Sequence, residues 1–368
     1  MFMFHRRKPK KTFFIFKYKL ILLTILLCLC FLSIIPIEFG FNDSDIENKS
    51  ITSTSSMSKS LNQNISYSFL SHSQYLINNL EIYNYKLPLN NYLTYNYEIN
   101  KNYIELTIDE LTSYSSLNYD ERITFLNNND YSLEDRIKVF LGDDIENFSL
   151  VYYNLLTNEI VNINESKEFL AASTYKIGLN LLVYNLASTG EIDLTDTITY
   201  ESSDYEDGTG LLCTEPTIGT YTIQELLDLS IQYSDNIATN MLGRYLGGHA
   251  LVRKNLYELL NIDYPYEENT ITADIESQIL MYIYNHRDSE NYSHLIDTLT
   301  KTEFHERLDK YIPQDIVAHK IGSNESYIHD VGIILSDSPY ILAIYTNNLT
   351  DAEEKIAQIS KAIYYNYN

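Results

Sequence analysis

The chain has no tryptophan and only three cysteines in 368 residues. Cys28 and Cys30 fall inside an apolar run, so Cys213 stands alone in the remainder and an internal disulfide there is excluded. A body without that staple must be held by its hydrophobic core. With 45% hydrophobic and 21% charged positions, the chain has ample core for one large or two ordinary domains. Positive charge is scarce beyond residue 20. The first 20 residues carry seven Lys or Arg and no acid, leaving 19 basic against 50 acidic residues, a body near −31. Such a surface repels nucleic acid and anionic lipid, and no nucleic-acid partner is expected. There is no internal repeat. His286, His294, His305, His319 and His329 show no His-Glu-x-x-His or comparable ligand spacing, so surface or packing roles are expected for them, with neither a metal nor another cofactor.

What the chain does have begins with its first 40 residues. Arg6, Arg7, Lys8, Lys10 and Lys11 precede residues 20–37, which are 18 positions without a charge, about the minimum for crossing a bilayer. Basic residues stay cytoplasmic, so the chain beyond Ile37 is expected on the outside. No A-x-A-like site follows the run, which favours an uncleaved signal-anchor in the cell membrane over secretion after cleavage. A lipoprotein needs a cysteine behind a small residue, and leucine precedes both Cys28 and Cys30. The organisation expected is a basic cytoplasmic segment (1–19), a transmembrane signal-anchor (20–37), a flexible linker (38–66), a stalk or small accessory region (67–129) and a main domain (130–368). The linker is rich in Ser and Asn and cannot bury enough surface to offset its ordering entropy. Region 67–129 regains apolar and aromatic residues, with helical patterns at 69–82 and 103–111, but carries no motif.

In the main domain, Ser132 opens a helix at 133–141 with a capping pattern. Runs at 148–153 and 159–163 read as a hairpin. Helical patterns follow at 177–186, 222–231, 236–246, 249–260 and 273–284, then strands at 316–321, 327–335 and 340–346, and a closing helix from 351. Strands at both ends with helices between them fit an α+β architecture: an antiparallel sheet formed from both ends of the domain, flanked by helices, with an inserted helical lobe. Ser173 and Lys176 stand three positions apart at the start of the first long helical pattern. Positions i and i+3 share a helix face, so the amine of Lys176 can reach the hydroxyl of Ser173. A desolvated lysine can then act as the base that makes serine a nucleophile. Ser56 and Lys59 have the same spacing but lie in linker-like sequence. Two further stretches complete a set: Ser234-Asp235-Asn236 after one helical pattern, and Lys320-Ile321-Gly322-Ser323 closing a short strand.

The three ordered boxes resemble those of the class A β-lactamase family of serine hydrolases, over roughly 133–363. The Thr189–Asp196 segment, the Gly208-Thr209-Gly210 turn and the His329-Asp330-Val331-Gly332-Ile333 strand look like the family as well. The resemblance implies a β-lactamase-like fold with the site between sheet and lobe. It implies that Ser173 forms an acyl-enzyme with Lys176 as base or relay, and that Ser234 carries the proton to the leaving nitrogen. Asn236 would hydrogen-bond the substrate's side-chain amide, and Lys320 would supply charge for a substrate carboxylate and for the relay. Gly322 and Ser323 would line the substrate site, with the backbone N–H groups of Ser173 and Ser323 as the oxyanion hole. Asp235 is expected to be structural. Two departures stand out. Ile321 occupies a position where the family has Thr or Ser. The 84 positions from Asn236 to Lys320 also lack the family's Glu-x-x-Leu-Asn loop, whose glutamate activates the deacylating water. Glu267 and Glu268 lie in the corresponding interval and are expected to be solvated. The reading is therefore a serine hydrolase acting on β-lactams or related amides outside the membrane, with slow deacylation. The alternatives are a penicillin-binding, D-alanyl-peptide-directed protein that acts on peptidoglycan-derived substrates, or a non-catalytic cell-wall binding domain. Oligomeric state is not legible.

Overall fold

The computed structural model describes residues 106–107, 110–111 and 114–367. The basic segment, the apolar run at 20–37, the linker and the Ser56–Lys59 pair lie outside the described residues. Among the described residues no helix is long and apolar enough to cross a membrane.

The expected hairpin is formed by β1 (Phe148–Asn154) and β2 (Ile160–Ile163), with Leu150 opposite Ile163 and Tyr153 opposite Ile160. Asn154 shapes its turn by accepting the Leu156 and Thr157 amides on Oδ1 at 2.9 and 2.8 Å. On its other side β1 pairs with β9 (Tyr340–Thr346). β8 (Tyr327–Ile334) and β7 (Val317–Asn324) follow, giving the antiparallel order β2-β1-β9-β8-β7. The first hairpin thus lies against the last strand, and both ends of the domain build one sheet. Every residue of β1 and β9 is buried, because the sheet is covered on both faces. The two-residue period of a strand sorts them. Val151, Tyr153, Ala343 and Tyr345 enter one core, and Leu150, Tyr152, Leu342 and Ile344 enter the other.

The second core is closed by α2 (Leu133–Leu141) and α9 (Ala352–Tyr367), which contribute Ile137, Phe140, Ile356 and Ile363. Ser132 caps α2 by accepting the Asp135 amide at 3.1 Å. Packing at this end starts upstream of residue 130. In α1 (Tyr119–Leu126), within the segment expected as stalk or accessory region, Leu126 is fully buried in the same cluster and its carbonyl accepts from Arg136 Nη1 at 3.2 Å.

The first core joins the sheet to the helical lobe. Its axis is α3 (Tyr175–Thr189), buried from Lys176 through Tyr184, so the helix is enclosed on all sides. Around it lie α4 (Ile223–Gln232), α5 (Asn236–Tyr245), α6 (His249–Leu260), α7 (Ala273–Asn285) and α8 (Glu290–Leu299). The last of these was not anticipated, although its buried Tyr292, Leu295, Ile296 and Leu299 follow a helical stripe. Two short ribbons tie loops down. β3 (Phe169–Leu170) pairs with β6 (Thr270–Ile271), and β4 (Thr197–Thr199) pairs with β5 (Thr220–Thr222).

Candidate active site

Ser173 sits in a single 3-10 turn, Ala172–Thr174, between β3 and α3. The chain enters it through Ala172 at φ +49°, a left-handed conformation that costs a residue with a side chain about 1 kcal/mol or more. Several bonds hold the strained turn. Thr174 Oγ1 donates to Ala171 O at 2.9 Å, Ala171 N to Asn269 O at 2.8 Å, and Asn269 Nδ2 to Ala172 O at 3.3 Å. His329 fixes the approach strand. Its Nδ1 accepts the Thr346 amide at 3.1 Å, so the ring hydrogen is on Nε2 and is donated to Leu170 O at 2.8 Å. Burial holds the His329 pKa down at about 4, which keeps that tautomer neutral. The edge strand β7 presses against the same turn. A Cβ at Gly322 would lie 2.9 Å from Ala171 O, so only glycine permits this approach.

Lys176 is buried three positions after Ser173, on the same helical face. Its Nζ donates to Ser234 O at 2.6 Å, to Asn236 Oδ1 at 2.8 Å and to Ser234 Oγ at 3.2 Å. Lys320, fully buried on β7, donates from Nζ to the same Ser234 Oγ at 2.9 Å and to Ile321 O at 3.1 Å. Four of the expected catalytic residues, Ser173, Lys176, Ser234 and Lys320, are thus gathered from a helix start, an interhelical loop and an edge strand. Among the described residues none hydrogen-bonds Ser173 Oγ. Two amines fill the lone pairs of Ser234 Oγ, which leaves its own hydrogen to be donated. Burial lowers the Lys176 pKa to about 7, with Asp235 and Glu206 pulling the other way. Burial also takes Lys320 well below the usual lysine range. Lys176 and Arg307 add to that effect, and Asp330 opposes it.

The Ser234 loop is built to be rigid. Ser234 adopts φ +52°. Asp235, fully buried, caps α5 by accepting the Ala238 amide on Oδ1 at 2.8 Å and accepts the Leu212 amide on Oδ2 at 2.8 Å. Its role is structural. The Gly208–Gly210 turn seats the loop, because Thr209 Oγ1 donates to Ser234 O at 2.7 Å and a Cβ at Gly210 would meet Asp235 Cγ at 2.4 Å. Asn236 is held between Lys176 and the Asp207 carbonyl, to which Nδ2 donates at 3.4 Å.

Two residues escaped the sequence reading. Arg307 is buried behind β7, where Nη1 donates to Gly322 O at 3.1 Å and His329 O at 2.6 Å, and Nη2 donates to Ser323 Oγ at 2.6 Å and Glu353 Oε1 at 3.0 Å. No local signal marks it, since the packing of the segment after α8 behind β7 brings it there. Glu276 is wholly buried in α7 beneath the Ser173 turn. Tyr345 OH lies 2.9 Å from both Glu276 Oε2 and Thr174 Oγ1, and the Thr174 hydrogen is already used on Ala171 O. Tyr345 has one hydrogen for two neighbours, so a protonated Glu276 completes the chain. Burial supports this by raising the Glu276 pKa to about 8. On the flank where the deacylating loop would stand, Glu267 and Glu268 are exposed, and the Glu267 carboxylate accepts its neighbour Tyr266's amide at 3.2 Å.

The family model of the Beta-lactamase enzyme family matches residues 132–367, well over half of the chain. The chain belongs to this family. The extended-spectrum β-lactamase PER-1 of Pseudomonas aeruginosa is 23% identical over 235 residues, 55% of this chain and 76% of that protein. The β-lactamase of Sphaerobacter thermophilus is 27% identical with a TM-score of 0.53, over 58% of this chain and 89% of that one. PBP-A, in a mutant form captured as an acyl-enzyme complex with penicillin-G, shares the fold at 21% identity and a TM-score of 0.57, over 63% of this chain and 94% of its own. The β-lactamase-like α+β fold expected from the three boxes is the one observed. Membership and fold together support a serine β-lactamase-like hydrolase.

Proposed function

We propose that this family member is acylated on Ser173 by β-lactams or related amides and releases the acyl group slowly. The observation that carries the reading is the convergence of Lys176 and Lys320 on Ser234 Oγ beside the Ser173 turn. In the proposed sequence Lys176, neutral and with one of its three hydrogen bonds given up, takes the proton on its lone pair as Ser173 Oγ attacks the carbonyl carbon. The Ser234 hydroxyl donates its hydrogen to the departing nitrogen as the C–N bond breaks, and is reprotonated through the amines. Backbone N–H groups of Ser173 and of Ser323, on the edge strand, stabilise the oxyanion, at about 3 kcal/mol or more per donor. Asn236 meets the substrate's side-chain amide through Nδ2. A buried Lys320 with a lowered pKa is a weak point charge, so the substrate carboxylate is taken instead by Ser323 with Arg307 behind it. This arrangement makes up for the hydroxyl missing at Ile321.

Release needs an activated water. Glu276, buried beneath the Ser173 turn, is protonated and screened from Ser173 by Tyr345 and Thr174, and Glu267 and Glu268 face solvent. Slow release fits a penicillin-binding role toward D-alanyl peptides as well as a weak β-lactamase. Anchoring through residues 20–37, with the domain outside the membrane, would give either activity reach into the cell wall. The test is incubation of the full chain with fluorescent penicillin, followed by intact-mass spectrometry over time. A persistent adduct that Ser173→Ala abolishes is expected. Absence of an adduct would sink acylation, and drug consumed in large excess over protein would sink slow release.

A further inference from the structure

Behind β7, on the side away from Ser173, three side chains converge that the proposed chemistry does not use. His305 and Asp309 come from the segment after α8, and His319 precedes Lys320 on the strand. One ligand atom from each lies within 4.8 Å of the others. His319 is pinned from its far side, where Nδ1 is 2.9 and 3.0 Å from the two oxygens of Asp330. Asp330 is itself fixed, because Oδ2 accepts the Leu308 amide at 2.9 Å. The Nδ1 hydrogen therefore points to Asp330, and His319 Nε2 faces Asp309 Oδ2 at 3.4 Å. That contact is not aligned as a hydrogen bond. His319 Nε2 and Asp309 Oδ1 are both buried without a hydrogen-bond partner. His319 and Asp309 are each 1% exposed, so neither orphan atom is served by bulk solvent. Buried polar atoms left in this way are costly.

We propose that His305, Asp309 and His319 form a binding site for a single divalent transition-metal ion of the Zn2+ type. A histidine oriented by a carboxylate on one nitrogen, with the other nitrogen free, is the usual arrangement of a metal-bound imidazole. Tetrahedral Zn2+ with ligands at 2.0–2.2 Å needs donors about 3.3 Å apart; the His319–Asp309 separation of 3.4 Å meets that requirement, and His305 Nδ1, hydrogen-bonded to Asp309 Oδ2 without the ion, would turn away from it to become the third ligand. Two imidazoles and one carboxylate suit Zn2+ and disfavour Mg2+ and Ca2+, which call for oxygen ligands. His305, with its side chain 40% exposed, is the open side through which the ion enters and a water completes the shell. The ion ties the 305–309 segment to β7. Arg307 lies within that segment, so the metal holds the base from which its fork reaches Gly322 and Ser323.

The test uses the full chain stripped with a chelator and titrated with Zn2+ by calorimetry, with metal content measured afterwards. Parallel samples receive Mg2+, or Co2+ for its visible spectrum. One Zn2+ per chain is expected, with no heat from Mg2+ and an intense tetrahedral Co2+ band. His305→Gln alters a half-exposed side chain and leaves the fold intact; it should weaken binding at least about tenfold and remove the Co2+ band. Asp309→Asn should weaken binding further. Substoichiometric metal, a weak octahedral Co2+ spectrum, or binding unchanged in His305→Gln would each overturn the site.

Discussion

The two flanks of Ser173 differ in how completely they are built. On the flank of the Ser234 loop and β7, Lys176, Ser234, Asp235 and Lys320 are buried and bonded: two lysines on one hydroxyl, Ser234 at φ +52°, and Asp235 locking the loop from below. On the flank of residues 261–272, the acids are exposed and make no bond toward the nucleophile, while Asn269 supplies backbone support only. The contrast teaches that bond formation and bond release are separately engineered in such a site. In the proposed chemistry an acyl-enzyme needs a base, a proton carrier and an oxyanion hole, which the first flank would supply. Its hydrolysis needs a positioned water and a basic carboxylate, and those would belong to the second.

Removing the base gives the largest effect. Lys176→Ala should slow adduct formation by about a thousandfold, within the usual range for general-base loss, as measured by stopped-flow with a fluorescent penicillin. A loss under about tenfold would mean that the convergence on Ser234 Oγ is packing and the first flank is not catalytic. The same amine sets the pH response. Because burial lowers Lys176 to about 7, the amine is protonated below that pH and cannot take the serine proton. Acylation should therefore fall about tenfold per unit below pH 7 and be flat above it. A rate independent of pH between about 5 and 8 would remove Lys176 from the role of base.

These expectations also show what was legible in the chain. Ser173 and Lys176, like Ser234, Asp235 and Asn236, are neighbours in sequence, so their spacing carried the chemistry. One sheet built from both ends of the domain followed from the strands placed there. Hidden features were those set by long-range register or by backbone shape. Nothing in the letters Ala172 and Ser234 announces a left-handed φ, since neither residue is a glycine. Arg307 reaches Ser323 only through the packing behind β7, and His305 meets His319 only through the fold. Glu276 looked like one more acid in an acidic chain, and only its place under Tyr345 makes it neutral.

Glu276 also provides a stability test of the second flank. Burial raises its pKa in the fold to about 8, above the ordinary glutamate value of 4.5. The folded protein then binds the extra proton between those values, and its stability falls as pH rises through that window. In Glu276→Gln the amide nitrogen donates to Tyr345 as the protonated carboxyl does, without titrating. The variant should be more stable than the parent by roughly 3 to 5 kcal/mol above pH 8 and nearly equal to it below pH 5, as read by urea unfolding. An advantage that does not change with pH would show that Glu276 is ionised in the fold, and would reopen it as a source of base near Ser173.

The smallest expected effect is the sharpest check on the comparison. Glu267 and Glu268 are the carboxylates that the 261–272 segment offers at the place where a deacylating glutamate would be sought. The Glu267 carboxylate is engaged by the amide of its own neighbour Tyr266, and Arg253 Nη2 holds the Glu267 carbonyl at 2.7 Å. Both side chains stay in water, where a carboxylate is too loosely placed to orient a nucleophile. Glu267→Gln and Glu268→Gln should therefore leave the decay of the Ser173 adduct within about twofold of the parent when followed by intact mass, since a surface change of this kind removes no catalytic contact. A tenfold slower decay in either variant would mean that the segment closes over the acyl-enzyme and delivers its acid. The second flank would then be a base assembled only after acylation.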